Sequence, residues 1–516
     1  MEGTLWAFLP ALIAIVLALV TKQVYVSLFL GIFVGAMMYA GGNPLNAMFT
    51  LFQVMSEKVG ANTPIIVFLV VLGILVVLLQ KSGGAKAYGD WAGKKIKSKG
   101  GALGATAALG CLIFVDDYFN CLTVGSVMRP VTDKFKISRA KLAYIIDSTA
   151  APVCIIAPIS SWAAAVAGEL EGDGLMVFIS TIPFNVYAIL TLIMVFALCI
   201  FKFDFGKMKK NELIAETTGD LHAGAEGNSE SSAEITSNPR GKVHHLIIPV
   251  IILIICCIGG MLFTGFFYNW DTGLIGSELQ SANVIEAFSN CDAGMSLAIG
   301  STFALIIIAV YYMIARVVSF KEITGSFTEG FKAMVPAILI LTFAWSISGI
   351  MGAKGGYLDA QSFVAENLAN SAFPQFLFPA IFFILAGAIA FATGTSWGTF
   401  GVLVPIAVTI LGSSGTMVLL TVSATLGGAV FGDHVSPISD TTILASAGAE
   451  CNHVDHVNTQ LPYAMSVAAI AAVSYVIAGL CASLGGVLCG VIMWASALVL
   501  FAGLVLIFKM AGKKKA

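Results

Sequence analysis

Residues 432–442 read Gly-Asp-His-Val-Ser-Pro-Ile-Ser-Asp-Thr-Thr, and they interrupt an apolar segment that runs from 417 to 446. The segment is long enough to cross a bilayer, because about 20 apolar residues span the hydrocarbon core. Pro437 has no backbone N–H and breaks a helix, so the carbonyl and hydroxyl groups beside it are free to face a ligand. The stretch therefore predicts a discontinuous transmembrane helix with a polar site at its break.

The composition of the whole chain predicts a multi-pass protein of the cell membrane. Hydrophobic residues make up 58% of its 516 residues and charged residues only 11%, which is more apolar surface than a soluble fold buries. The formal net charge of -2 provides no basic patch for nucleic acid. The N-terminus lacks the basic region and cleavage site of a signal peptide and is predicted to be a retained helix. The predicted spans are 5–20, 23–40, 64–80, 140–168, 175–200, 247–270, 294–315, 332–352, 417–446, 460–483 and 486–509.

Lysine and arginine are concentrated in some connections and absent from others, which orients the chain. The basic connections are predicted to be cytoplasmic, and they are 81–100, 129–141, 201–246, 316–332 and the tail Lys513-Lys514-Lys515. The connections 169–174 and 271–293 carry only acidic charges and are predicted to face outside.

Two further apolar segments, 101–128 and 375–412, carry polar groups at their centres. Both ends of the first lie beside cytoplasmic connections, yet it is too short for two full crossings. We therefore expect a re-entrant hairpin. The second segment has its neighbours outside, so its hairpin should enter from the opposite face.

The two halves of the sequence contain matching motifs in the same order. Residues 114–120 are echoed by 391–398, and Ala157-Pro-Ile-Ser160 is echoed by Ser436-Pro-Ile-Ser439. Because the matched elements have opposite predicted orientations, we expect an all-α polytopic membrane protein with two inverted repeats, each with a re-entrant hairpin and a discontinuous transmembrane helix. The predicted division is a first repeat at 1–200, a flexible cytoplasmic linker at 201–246, a second repeat at 247–483, and an extra transmembrane helix with a basic cytoplasmic tail at 484–516.

The tip of the first hairpin and the first proline break supply candidate ligands for a cation. A carboxylate within hydrocarbon is costly unless it is paired, protonated or bound to a cation. The predicted ion-binding and coupling residues of this half are Asp116, Asp117, Asn120, Asp147, Ser148 and Thr149, and Ser160 and Ser161 are predicted to bind solute. The structural alternatives are an acid that caps a helix and a proline kink whose hydroxyls bond to their own helix.

The second half offers more hydroxyl groups and a second pair of acids. The charge-free tip could supply neutral oxygens for sodium or N–H groups for an anionic solute. Its residues are Thr393, Gly394, Thr395 and Ser396. At the second break, ion coupling is predicted for Asp433, His434 and Asp440, and solute binding for Ser436, Ser439, Thr441 and Thr442. No cysteine or second histidine lies at ligand spacing from His434, so no transition metal is predicted. The alternative is a satisfied structural cluster.

The motifs at these residues resemble those of the NhaC family of Na+/H+ antiporters, within the ion-transporter superfamily. The resemblance is carried by 114–120, 147–152, 432–442, Asp455-His456 and 460–463. It implies sodium exchange against protons or small organic solutes such as carboxylates and amino acids. It also implies a scaffold domain, a mobile domain that holds both hairpins, and a homodimer.

We therefore expect a sodium-coupled antiporter and not an enzyme, with Na+ and H+ as coupling ions and no other cofactor. Sodium is expected at Asp117, Asn120, Ser148 and Thr149, and Asp117 and Asp433 are the first choices for coupling acids. A sodium-coupled symporter of an amino acid or carboxylate is the alternative within transport. An intramembrane aspartyl protease is a remote alternative, since two membrane acids can share a proton. The residues before Asp433, Val430-Phe431-Gly432, do not match the GxGD arrangement of such proteases.

Overall fold

The computed structural model describes residues 4–21, 23–170, 174–201, 203–224, 238–269, 274–276, 280–281, 287, 291, 293–351, 357–360, 363, 374–412, 414–437 and 439–513. The helices of the first half are α1 Leu9–Thr21, α2 Val24–Tyr39, α3 Pro44–Ala61, α4 Thr63–Ser82, α5 Gly84–Lys95, α6 Lys99–Leu112, α7 Asp117–Lys134, α8 Arg139–Ser148, α9 Ala151–Cys154, α10 Ser161–Ala167, α11 Gly174–Thr181, α12 Val186–Phe201 and α13 Gly206–Thr218. Those of the second half are α14 His244–Phe267, α15 Ala293–Ile314, α16 Phe320–Met351, α17 Phe378–Thr393, α18 Ser396–Leu411, α19 Thr416–Val435, α20 Asp440–Ala449, α21 His453–Cys481 and α22 Gly486–Lys513. A two-residue ladder pairs β1 Tyr268–Asn269 with β2 Leu274–Ile275.

The described part of the chain is almost entirely helical, and the predicted all-α membrane protein is confirmed. Seven of its helices are long and apolar enough to cross a bilayer, and two bent helix pairs raise the count to as many as nine. The bent pairs are α2 with α3, at 119°, and the two parts of α16, at 44°.

Two sequence predictions about helices need correction. Residues 44–61 form α3, which was not predicted because its polar residues dilute the apolar pattern; Asn43 caps it by accepting the N–H of Leu45 at 3.0 Å. The predicted span 175–200 is divided into α11 and α12 by a short turn at Ile182–Phe184, where Pro183 interrupts the helix.

Part of the predicted flexible linker forms α13, whose inward-facing residues follow a helical period. The four buried residues of this helix are Met208, Asn211, Glu212 and Ala215. Two of them are polar, which explains why the helical period is not visible in the hydrophobicity of the sequence. Residues 225–237 of the predicted linker lie outside the described residues.

Both predicted helical hairpins and both helix breaks are present. Hairpin 1 consists of α6 and α7, joined by residues 113–116, and hairpin 2 consists of α17 and α18, joined by Gly394-Thr395. Hairpin 1 extends further than predicted, to Lys134. Break 1 separates α8 from α10 and contains α9, and break 2 separates α19 from α20 at residues 436–439.

The half-helix beyond each break packs against the second arm of the opposite hairpin. α10 contacts α18 of hairpin 2, and α20 contacts α7 of hairpin 1. The second contact is so close that a Cβ atom at Gly125 would lie 2.4 Å from the carbonyl carbon of Gly448. These contacts between the two halves bring both breaks and both hairpin tips into one region. The inverted symmetry of the two halves stays a prediction.

Candidate functional site

The two helix breaks meet at the carboxylate of Asp147, in the last turn of α8. Its Oδ2 atom accepts a hydrogen bond from Nε2 of Gln460 at 2.6 Å and from Oγ1 of Thr442 at 3.2 Å. Nε2 of His456 lies 3.4 Å from the same oxygen. All four side chains are fully buried. Side chains of the second half, Thr442 on α20 and Gln460 and His456 on α21, therefore hold Asp147 of the first half in place.

Asp433 is anchored within the second break by hydroxyl groups. Oγ1 of Thr441 donates to Oδ2 of Asp433 at 2.5 Å, and Oγ1 of Thr442 donates to the carbonyl of Asp433 at 3.2 Å. Ser439 caps α20 by accepting the N–H of Thr442 at 3.2 Å. Thr442 thus contacts both Asp147 and Asp433, which lie on opposite halves of the sequence.

His434 is held by groups from two other helices. Its Nδ1 atom lies 3.0 Å from the hydroxyl of Tyr187 on α12, and its carbonyl accepts a hydrogen bond from Gln460 at 2.7 Å. His434 is 1% exposed, and its Nε2 atom has no hydrogen-bond partner among the described residues. Its imidazole is therefore a buried group with a donor or acceptor still available.

Asn120 binds the tip of hairpin 1 to break 1. Its Nδ2 atom donates to the carbonyls of Gly110 at 2.7 Å, Ile113 at 2.9 Å and Thr149 at 2.9 Å. The approach is close enough that a Cβ atom at Gly110 would lie 2.0 Å from Oγ1 of Thr149. Asn120 and Thr149, both predicted sodium ligands, are therefore in direct contact.

Asp117 begins α7 and faces the start of α10. Its Oδ2 atom accepts a hydrogen bond from the indole N–H of Trp162 at 3.0 Å, and its Oδ1 atom accepts the N–H of Tyr118 at 3.1 Å. The Trp162 ring lies 5.5 Å from that of Trp397, at the start of α18. The two tryptophans place the starts of α10 and α18, and so Ser161 and Ser396, in neighbouring positions.

The tip of hairpin 2 turns through Gly394, whose φ of 72° is readily adopted only by glycine. Thr395 caps α18 by accepting the N–H of Gly398 at 3.4 Å. Oγ of Ser436 donates to the carbonyl of Phe391 at 2.7 Å. Tip 2 is therefore attached to break 2, as tip 1 is attached to break 1.

Several polar atoms in this region are buried and have no partner among the described residues. The oxygens are Asn120 Oδ1, Asp147 Oδ1, Ser161 Oγ and Gln460 Oε1. Hard cations such as sodium prefer oxygen ligands of this kind. The arrangement therefore has unused capacity to bind a cation.

Asp117, Asp147 and Asp433 are close enough for their charges to interact. The charges of Asp147 and Asp117 both act on Asp433, and those acids together with Asp116 act on Cys121. Among the described residues, no lysine or arginine forms an ion pair with Asp117, Asp147 or Asp433. Mutual repulsion in a buried region is relieved when a cation or proton binds.

The sequence predicts the two breaks and tips, but it does not predict three contributors to the site. The predicted spans leave His456 in the connection between 446 and 460, whereas it lies on α21; Gln460 and Tyr187 are not among the predicted site residues. The spacing of His456 and Gln460, four residues apart, puts both on one face of a helix and could have indicated them. The side chain of Asp440 lies outside what the structure describes, so its predicted role is not tested.

At the predicted cytoplasmic end, α13 is attached to the elements that carry the site. Asp455, in the first turn of α21, contacts Nζ of Lys207 at 2.8 Å and Nδ2 of Asn211 at 2.6 Å. Nζ of Lys141, on α8, lies 2.6 Å from Asp204. Burial raises the pKa of Asp204, and the Lys141 ammonium offsets this only in part. α13 and the residues just before it therefore connect both site-bearing helices.

Comparisons with known proteins agree on the class of this chain. A sequence model described as the Na+/H+ antiporter family matches residues 171–480. An uncharacterised protein of Haemophilus influenzae is 39% identical over 499 residues, covering 93% of this chain and 91% of the relative. A malate-2H+/Na+-lactate antiporter of Bacillus subtilis is 31% identical over 166 residues, covering 31% of this chain and 33% of the relative.

The fold is similar to that of a solved transporter. The crystal structure of the YdaH transporter of Alcanivorax borkumensis, described as having an unusual topology, aligns with a TM-score of 0.50. The alignment covers 90% of this chain and 98% of that one at 15% sequence identity. At this identity the similarity concerns the fold alone.

Proposed function

Because this chain belongs to the Na+/H+ antiporter family and is a sodium-coupled antiporter of the cell membrane, we propose that its coupling ion binds beside Asp147. The observation that carries the proposal is the pair of donors on Oδ2 of Asp147, Gln460 and Thr442, which belong to the other half of the chain. They fix the carboxylate while its Oδ1 atom keeps no partner among the described residues. A fixed, buried carboxylate oxygen is a suitable ligand for a cation.

Sodium binds between tip 1 and break 1 in this proposal. Asp117, Asn120, Ser148 and Thr149 are its expected ligands, and Asp147 joins them as a second charged one. Support comes from Asn120, whose amide hydrogens fix the tip to Thr149 while its Oδ1 atom is buried without a partner. Asp117 already accepts one hydrogen bond at each oxygen, so sodium would share those oxygens with Trp162 and Tyr118.

Asp433 couples sodium binding to the exchanged partner. Oγ1 of Thr442 contacts both the backbone carbonyl of Asp433 and the carboxylate of Asp147, so the two residues are linked through one hydroxyl group. A proton on Asp433 and a sodium ion beside Asp147 would relieve the same repulsion. Their binding therefore competes, which is the requirement for exchange.

The exchanged partner is a proton, a small carboxylate or an amino acid. The predicted solute-binding groups are the hydroxyls and backbone N–H groups at the helix starts beyond the tips and breaks. They are Ser160, Ser161, Thr393, Gly394, Thr395, Ser396, Ser436, Ser439, Thr441 and Thr442. Support comes from the contact of Trp162 with Trp397, which brings two of these helix starts together.

Solute-dependent sodium flux in proteoliposomes tests the proposal. Vesicles loaded with labelled sodium are diluted into sodium-free buffer that contains a pH gradient, a dicarboxylate or an amino acid. We expect one of these to accelerate sodium efflux, and Asp147→Asn to abolish the acceleration. Solute that moves with sodium in the same direction would instead indicate symport. Wild-type exchange in the Asp147→Asn variant would remove Asp147 from the site.

A further inference from the structure

Glu169 is a buried acid that lies outside the cluster around Asp147. It follows the end of α10, in a connection that the sequence places at the outer face, yet its side chain is only 7% exposed. Neither carboxylate oxygen has a hydrogen-bond partner among the described residues. An acid in this state is costly if it is ionised.

Parts of α18 and α16 lie close to Glu169. A Cβ atom at Gly401, on α18, would lie 3.8 Å from Oε1 of Glu169 and 2.8 Å from Cβ of Ala344 on α16. The next residue on α16, Trp345, is 2% exposed, and its Nε1 atom is a donor without a partner among the described residues. The indole N–H of Trp345 and the carboxylate of Glu169 therefore lie on neighbouring elements, and each lacks a hydrogen-bond partner among the described residues.

Charged groups are scarce on every element packed here. Helices α10, α11 and α18 contain no charged residue, and those of α16 lie in its first half, before Met334. On α4 the only charged residue is Lys81, at the end opposite Ile65, which lies next to Gly168. The exposed Lys58 of α3 is near enough to interact electrostatically with Glu169, but the two form no ion pair.

Glu450, the acid at the corresponding position in the second half of the chain, has a cationic partner. Glu450 directly follows α20, as Glu169 follows α10, and α20 packs on α7 as α10 packs on α18. Glu450 forms an ion pair with Arg129 of α7. Hairpin 2 has the neutral Val404 before Pro405 where hairpin 1 has Arg129 before Pro130, so the outer acid receives no such cation.

We propose that Glu169 is a proton-binding site at the outer end of α10, separate from the sodium site beside Asp147. A proton requires only one carboxylate, whereas sodium requires several oxygen ligands, and neither carboxylate oxygen of Glu169 has a polar partner among the described residues. This inference rests on the proposed function, because it adds Glu169 to Asp433 as a second group on the path of the exchanged proton.

If sodium and protons bind at separate sites, a mutation at one site can abolish one mode of transport and preserve the other. Sodium/sodium counterflow needs only the sodium site beside Asp147, here called the central site. Sodium/proton exchange needs Glu169 as well. In Glu169→Gln proteoliposomes, we expect labelled-sodium counterflow to stay within about twofold of wild type, while sodium-driven acidification or alkalinisation of the lumen is lost. Glu169→Asp keeps a carboxyl group and should retain exchange with a shifted pH profile. The control is Glu57→Gln, an exposed acid of α3, which should leave both modes unchanged.

Labelling by a carbodiimide, which modifies protonated buried carboxyl groups, provides a readout without transport. Mass spectrometry of the purified full-length protein should find the label on Glu169, decreasing as pH rises and unaffected when sodium replaces choline. Lys58→Met removes the nearby positive charge and should move this pH profile upward. Full sodium/proton exchange in folded Glu169→Gln, absence of label at every pH, or protection by sodium would each overturn the proposal. Absence of counterflow in wild type would instead reject the central sodium site.

Discussion

Gln460 of α21 donates a hydrogen bond to Oδ2 of Asp147 at 2.6 Å and uses the same Nε2 atom to contact the carbonyl of His434 at 2.7 Å. One amide thus connects the end of α8 with the end of α19. Because these are the helix segments that stop at the two breaks, a movement of either break changes the environment of Asp147. The coupling of the halves is therefore local and can be tested at single residues.

Gln460→Met keeps the length of the side chain and removes its donor. A hydrogen bond to a charged group contributes about 1.5 to 3 kcal/mol, so we expect apparent sodium affinity to fall by about 10- to 100-fold. The measurement is the sodium dependence of exchange in proteoliposomes. Gln53→Met is the matched control, since Gln53 is exposed and its side chain donates a hydrogen bond to the exposed Glu57 on its own helix. Equal sodium dependence in both variants would show that Gln460 has no role in the site.

Asp433→Asn should nearly abolish coupled transport and leave the fold intact. The change preserves shape and the hydrogen bond from Thr441, but it removes a group that can gain and lose a proton. Transport is measured as solute-dependent sodium flux, and folding as the elution profile and thermal midpoint in detergent. A well-folded variant with wild-type exchange rates would contradict the assignment.

Gly110→Ala tests whether the contact of tip 1 with break 1 is required. The added methyl group would lie 2.0 Å from Oγ1 of Thr149, so tip and break must separate. We expect loss of sodium-dependent transport and a lower thermal midpoint. Gly104→Ala on the same helix meets nothing within 4 Å and should stabilise the protein by about 0.4 to 1 kcal/mol. If both alanine variants transport normally, close contact at Gly110 is not needed.

Lys141→Met should destabilise the protein because it leaves the carboxylate of Asp204 without its cation. Breaking a buried pair in this way costs about 3 to 5 kcal/mol. Burial already raises the pKa of Asp204, and loss of Lys141 raises it further. The folded variant then binds more protons than the unfolded chain, so its stability decreases as pH rises through the folded-state pKa.

Thermal midpoints between about pH 5 and pH 8 measure this effect, and the pH dependence should disappear in Lys141→Met/Asp204→Asn. Lys81→Met is the control. Its partner Glu329 is exposed, and such surface pairs contribute about 0 to 1 kcal/mol. A pH-independent midpoint in Lys141→Met would reject the linkage.

The sequence predicted those parts of the site that come from breaks in apolar segments. Proline and clustered hydroxyls interrupt hydrophobicity at Asp147 and Asp433, so both breaks could be located from composition. The contributions of Tyr187 and Gln460 could not be, because each is a single polar group in a long apolar helix and its partner is distant in the sequence. The burial of Glu169, in a connection predicted only to face outside, is not predictable for the same reason, since α16 and α18, which lie close to it, are distant in the sequence.

Asp117 should be a sodium ligand or a competing proton site, because an acid at a buried hairpin tip is stable only when a cation, proton or donor neutralises it. It is fully buried, and its described donors are the Trp162 indole and the N–H of Tyr118. Neither donor carries a charge, so a cation or a proton is still needed to neutralise the carboxylate. Sodium and protons should then compete for this acid.

Raising the external proton concentration should lower apparent sodium affinity, by up to about tenfold per pH unit below the acid's apparent pKa, as one-site competition requires. Alanine variants of Asn120, Ser148 and Thr149 should weaken sodium affinity more than maximal rate, because these residues supply neutral oxygens. The measurement is the sodium dependence of transport at several pH values in wild type and Asp117→Asn. Asp117 leaves the site if wild-type sodium affinity does not change with pH, or if the variant keeps the wild-type sodium dependence.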